Sequence, residues 1–170
     1  NIFESFEKNA RPVHGKVIQI GRSENISLPE NNIKKVPARI DTGATITSIW
    51  ASSIEENEQG LTFIFFDTES EYYTGEKVTV SEYSKRAVAS SMGHTQIRFT
   101  VTLLVVLHGR RIRAKLTLAD RSTQIYPILV GRNVLKNKFI VNVAAGKPLV
   151  RKEKARRNEL ESFVKGENEL

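Results

Sequence analysis

The tetrapeptide Asp41-Thr42-Gly43-Ala44 constrains this chain most. It closes the apolar run Val36-Pro37-Ala38-Arg39-Ile40 and opens the β-branched stretch Thr45-Ile46-Thr47-Ser48-Ile49, a pattern that predicts strand, tight turn, strand. A carboxylate at such a turn is held on a rigid loop, and Gly43 admits a close approach that a side chain would block. The chemistry this offers is half of an aspartic peptidase site. That mechanism needs two carboxylates sharing one proton, one to activate water and one to polarise the scissile carbonyl. The same four residues also make an ordinary turn, with Asp capping the backbone and Gly supplying a positive φ.

A second element bears on the choice. Tyr126-Pro127-Ile128-Leu129-Val130 runs into Gly131-Arg132-Asn133-Val134-Leu135, an apolar strand followed by a short helical segment. This resembles the retropepsin-like aspartic peptidases, in which a hydrophobic-hydrophobic-Gly-Arg-Asn segment packs against the Asp-Thr-Gly loop. The likeness extends to a bacterial group of that clan through Ala38-Arg39-Ile40-Asp41-Thr42-Gly43-Ala44, Ser91-Met92-Gly93, Leu118-Ala119-Asp120-Arg121-Ser122, Tyr126 to Arg132 and Val141-Asn142, and covers roughly residues 12 to 150. The group carries the label "ATP-dependent zinc protease", which nothing in these residues supports.

The resemblance implies an all-β, closed barrel with a flap hairpin, acting as a homodimer on an extended peptide or protein substrate. Asp41, Thr42 and Gly43 would form the catalytic loop, Thr42 bonding across the two-fold. Ala44, Thr45, Val130 and the flap residues Ser91, Met92 and Gly93 would contact substrate. Gly131, Arg132 and Asn133 would support the loop. One departure stands out: retroviral enzymes place an Asp where this chain has Thr45, so Arg132 needs another acceptor, and Asp120 is the expected one.

With 170 residues the chain has one domain's worth of core. The expected organisation is a polar lead-in at 1–11, the barrel at 12–150 and a charged helix or tail at 151–170. No cysteine is present, which removes disulfides and thiolate metal ligands. The net charge of +7 permits an anionic partner, but the basic runs Arg110 to Lys115 and Lys147 to Arg157 lack the interleaved aromatics of a nucleic-acid stacking platform, so no nucleic acid is expected. No run is long enough to span a membrane. Because the chain begins at Asn1, it is expected to be trimmed or processed, which leaves room for an upstream anchor and tilts the expected compartment towards the periplasmic face of an inner membrane.

In chain order, strands are expected at Val13–Ile20, on both sides of Asp41 as far as Trp50, and at Leu61–Phe66, with polar loops over 21–32 and from 67 to Lys85. Alternation at Ile97, Phe99, Val101, Leu103, Val105 and Leu107 and again at Ile112, Ala114, Leu116 and Leu118 marks a hairpin turning at His108-Gly109-Arg110. Phe139–Val143 is a last strand. Ala155, Leu160, Phe163 and Val164 fall at loosely helical spacing, so the C-terminus is expected as a helix that either docks through them or stays a tail.

Rival chemistries lack their residues. Zinc catalysis needs about three protein ligands, and His14, His94 and His108 have no metal-ligand spacing. No phosphate-cradling Gly-rich loop and no Gly-x-Ser-x-Gly elbow occurs, so neither metal nor nucleotide cofactor is expected. From a different class, the alternative is a non-catalytic peptide- or protein-binding module that keeps the Asp41 loop as a turn.

Overall fold

A computed structural model describes residues 15–89 and 93–167. Its strands are β1 (Ile18–Gly21), β2 (Ser23–Leu28), β3 (Ile33–Ile40), β4 (Thr47–Asn57), β5 (Gly60–Phe65), β6 (Lys77–Val80), β7 (Tyr83–Ala89), β8 (Thr95–Leu107), β9 (Arg110–Ala119), β10 (Ile128–Val130) and β11 (Phe139–Asn142). Two helices follow β10: α1 (Arg132–Leu135) and α2 (Val150–Glu167).

Six strands close on themselves in the order β10-β3-β2-β8-β9-β4, with β4 returning to β10. The closed, all-β architecture is the expected one. Short β10 lies between β3, which it pairs in parallel, and β4, which it pairs antiparallel. The barrel is filled by alternate residues of every strand, including Ile26, Val36, Ile49, Val105, Leu116 and Ile128, each fully buried; such a side chain contributes about 1.5–3 kcal/mol. β5 and β6 extend the sheet beyond β4, and Phe63 and Phe65 meet edge to face at 5.1 Å.

The β8–β9 hairpin turns where the alternation predicts. Leu107 pairs with Arg110, leaving His108 (φ 47°) and Gly109 (φ 76°) as a two-residue loop with both φ values positive, the geometry that suits the right-handed twist of the flanking strands. β7 pairs with the first half of β8 from Tyr83–Val101 to Ala89–Thr95. This hairpin projects from the barrel, and its tip, with Ser91 and Met92, falls outside the described residues. Gly93, at φ 78°, is exposed on the tip's far side.

Several expectations need correction. The polar loop over 21–32 contains β2, whose Glu24, Ile26 and Leu28 share the buried face. The inward glutamate broke the apolar alternation; Glu24 is satisfied there by Gly21 N–H at 2.8 Å and by His108 Nε2 at 3.0 Å. The first strand begins at Ile18, not Val13, of which nothing is described. β4 runs past Trp50 to Asn57, and the stretch to Lys85 holds β6 and the start of β7. The C-terminal helix α2 forms, with Leu160, Phe163 and Val164 all more than half exposed. Among the described residues no helix is long and apolar enough to cross a membrane.

β1 and β11 form a separate parallel pair beside the barrel. The chain crosses itself there so tightly that a Cβ on Gly21 would stand 2.1 Å from Gly146 Cα. Gly21→Ala is therefore expected to lower stability by about 1–3 kcal/mol, the usual range for overpacking, measured as a fall in the urea midpoint with the slope unchanged.

Candidate active site

The Asp41 loop leaves the barrel where β3 ends. Its strand pairing continues one residue beyond β3, with Asp41 N–H donating to Val130 O at 2.9 Å. The chain then turns sharply, and Asp41 Oδ1 accepts from Gly43 N–H at 2.9 Å and Ala44 N–H at 3.2 Å. Asp41 and Ala44 are half-buried, while Thr42, Gly43 and Thr45 are exposed. One carboxylate oxygen is thus occupied by the loop's own amides, which sets the side-chain orientation.

The loop is clamped from behind by α1. Arg132 N–H donates to Ala44 O at 2.8 Å and Asn133 N–H to Thr45 O at 3.2 Å. Fully buried Thr47 donates its N–H and its hydroxyl to Asn133 Oδ1, both at 2.9 Å, and accepts from Gly131 N–H at 3.0 Å. Asn133 Nδ2 reaches Lys115 O on β9 at 2.7 Å. Gly131 is required by contact, since its Cβ would come 2.7 Å from the Ile46 carbonyl carbon. Gly131, Arg132 and Asn133 all lie against the loop or its exit strand.

Arg132 finds a different acceptor from the one expected. Its guanidinium donates to Thr42 O at 3.2 Å, Gly43 O at 2.8 Å and Thr45 Oγ1 at 3.0 Å. Asp120 instead accepts from Ser122 N–H at 2.9 Å, and that bond holds its carboxyl below the ordinary carboxylate range. Thr45 thus serves Arg132 through a hydroxyl where retroviral enzymes use a carboxylate. Val130, expected to touch substrate, is fully buried; its neighbour Leu129 faces outward and is half-exposed. Residues Ser91 and Met92 fall outside the described residues.

A group of arginines that the sequence reading did not single out stands beside this loop. Arg39, two residues before Asp41, pairs with Leu129, which pairs with Ser48 on β4. Arg121 lies half-buried over the same row, donating to Ser48 Oγ at 3.3 Å and Tyr126 O at 3.0 Å. Burial, and then the neighbouring charge of Arg39, push its pKa down. Nearby, Arg22 grips Glu153 of α2 through two bonds of 2.9 Å, and Tyr126 hydroxyl donates to the same carboxylate at 2.7 Å. The bond from Arg22 is the main reason that Glu153 titrates below its ordinary value. A carboxyl lowered by folding contributes stability above its unfolded pKa and loses it as pH falls through the folded one, so this link is intact at neutral pH. Arg39 was legible in principle from its parity with Asp41; Arg121 and Glu153, brought in from distant segments, were not.

Among the described residues, no group of three or more His, Cys, Asp or Glu is placed to hold a metal. The model of the RimB-like family, described as retropepsin-like aspartic endopeptidase RimB, matches residues 19–154. The chain belongs to this family. Proteins named probable alpha-L-glutamate ligase, from Shewanella pealeana and Desulfotalea psychrophila, are each 27% identical to this RimB-like chain over 127 and 129 residues, or 72% and 74% of it. The match spans only 28% of either relative's length. A solved structure, Lpg0085 of Legionella pneumophila, a protein described as of unknown function, covers 77% of this chain and 97% of its own at 21% identity and TM-score 0.53. That likeness supports the fold.

Asn133→Ala would leave the N–H and hydroxyl of Thr47 without their acceptor. A cost of about 1–3 kcal/mol per buried group so orphaned is typical, and denaturant unfolding of the variant should show a loss of at least that order.

Proposed function

We propose that this chain is an aspartic endopeptidase whose site is completed by a second copy of itself. The observation that carries the reading is the Asp41 loop: a carboxylate oriented by two loop amides, on a loop whose carbonyls Arg132 holds and whose exit strand Asn133 holds. One such loop per chain supplies one carboxylate, and the chemistry needs two. In the dimer one Asp41 is ionised and the other protonated. The ionised group takes a proton from water as its oxygen attacks the peptide carbonyl carbon, and the protonated group donates to the carbonyl oxygen. The resulting gem-diol collapses with cleavage of the C–N bond, the leaving nitrogen taking a proton from the dyad. The substrate lies extended beneath the β7–β8 hairpins.

The surface for the second copy adjoins Thr42. Thr42, Leu135, Phe139 and Val141 line a largely apolar groove, and Ile140 and Val143 beside it are 62% and 74% exposed. Peptides with acidic side chains are the favoured substrates, because Arg39 and Arg121, which among the described residues have no carboxylate within ion-pair distance, stand near the loop and the curated relatives are named glutamate ligases. Those names also favour a second reading, in which the module holds a peptide without cleaving it.

Asp41→Asn separates the two. It should lower kcat/KM on acidic peptides by about 10²–10⁴-fold, the scale of a lost acid–base group, with peptide binding retained. Equal cleavage by variant and wild type would remove Asp41 from the mechanism. The wild-type rate should be bell-shaped in pH, since only a pair holding a single proton can act as base towards water and as acid towards the carbonyl.

Ile140→Glu with Val143→Glu should give a folded monomer by sedimentation, with activity lost. An active monomer would rule out the shared site.

A further inference from the structure

From Val150 to Gly166, Glu153 is the only residue of α2 that is not exposed. The helix stands off the barrel across a cleft of about 570 Å³ whose walls include Trp50, Tyr72, Pro127 and Ala155. Among the described residues, the further ion pair from α2 to the body is Lys152 to Glu71 at 3.5 Å, between two side chains that are 60% and 65% exposed, a contact of small worth. An 18-residue helix is therefore tied down chiefly by one carboxylate, held in two parallel bonds by Arg22 and capped by Tyr126 hydroxyl. The bidentate fork is the strong form of such a pair.

The surroundings of that carboxylate are unbalanced. Arg22 and Arg39 both act on Glu153, and Arg39 acts in turn on Arg121. Among the described residues neither Arg39 nor Arg121 has a carboxylate within ion-pair distance. Arg22 and Arg39 thus act on one acid, and Arg121 neighbours Arg39. Arg39 begins the row Arg39-Leu129-Ser48 and Arg121 bonds its far end at Ser48, while Arg22 O accepts Ile40 N–H at 3.0 Å, one residue from Asp41. Tyr126, which bonds Glu153, also accepts from Leu149 N–H at 2.9 Å, just before α2. Its carbonyl receives Arg121.

We infer that Glu153 is a built-in occupant of a carboxylate-binding arginine cluster, and that an acidic peptide entering beside Asp41 displaces it and frees α2. The helix is then a strap whose closure opposes acidic ligands. Their binding opens it. This rests on the reading of the Asp41 face as a peptide site. Because coupling between two binding events is reciprocal, a change that loosens Glu153 while leaving the arginines in place must tighten the ligand. Substitutions in the cluster make that relation measurable.

The test uses the full chain carrying Asp41→Asn, so that no probe is consumed, with N-acetylated, C-amidated hexaglutamate as probe and blocked hexaglutamine at matched ionic strength as control. Hydrogen exchange of the α2 amides should accelerate as hexaglutamate saturates and stay unchanged with hexaglutamine. Adding Glu153→Gln should make α2 exchange fast without ligand and tighten hexaglutamate by about fivefold or more, the lower end of typical site-to-site coupling. Arg22→Gln should free α2 equally but not tighten the probe, because it removes a ligand-binding arginine along with the anchor.

Hexaglutamate that fails to bind, that binds with α2 exchange unchanged, or that binds Glu153→Gln no more tightly overturns the strap, as does equal release by hexaglutamine. Turnover by the wild-type chain, measured in parallel, keeps the two readings apart. Turnover without strap release rejects the strap alone, and strap release without turnover rejects the peptidase reading alone.

Discussion

The bonds that Asn133 makes to Thr47 and to Lys115 O join three segments far apart in the chain: the exit from the Asp41 loop, the start of α1 and the middle of β9. Two of them, Thr47 and Asn133, are polar groups in or near the core, and burying them is tolerable only because each satisfies the other. Thr47 Oγ1 accepts from Gly131 N–H while donating to Asn133, so the hydroxyl works in both directions. Remove the amide and the loop loses its register on α1. The position of Asp41 is in this sense a product of packing behind it.

Barrel closure depends on the same place. β10 is three residues long, yet it alone joins β3 to β4 and completes the ring. Such a short strand contributes few ladder bonds, so its placement is set by fully buried Ile128 and Val130 and by the turn at Gly131 that sends the chain into α1. The carboxylate loop and the closing strand are neighbours through Asp41 N–H and Val130 O. An acid held at the seam of a closed barrel is held rigidly.

The electrostatics on the outer face differ in kind. Arg132 is spent on loop carbonyls and the Thr45 hydroxyl, neutral acceptors that leave its charge uncancelled beside Asp41. With Arg39 and Arg121 close by, the face around the loop is cationic, and Glu153 is the acid that α2 brings to it. The barrel thus carries an inward-facing acid on β2, satisfied by its burial partners, and an outward-facing arginine on β3 that keeps its charge at the surface.

Strand period and turn chemistry are local properties, and for that reason the residue order alone determined the Asp41 turn, the β8–β9 hairpin with its His108-Gly109 loop, the closing segment through Arg132 and the presence of a C-terminal helix. Where a polar residue faces inward the local signal fails, as with Glu24 in β2, because its partners His108 and the Gly21 amide are supplied by a turn some eighty residues away and by a bend in the backbone. Only the tertiary structure decided that Arg132 bonds Thr45 rather than Asp120, that Val130 is core while Leu129 faces out, and that α2 hangs from Glu153 instead of packing its apolar side chains. Each of these depends on which distant groups share a few ångströms of space, and linear spacing carries no record of that.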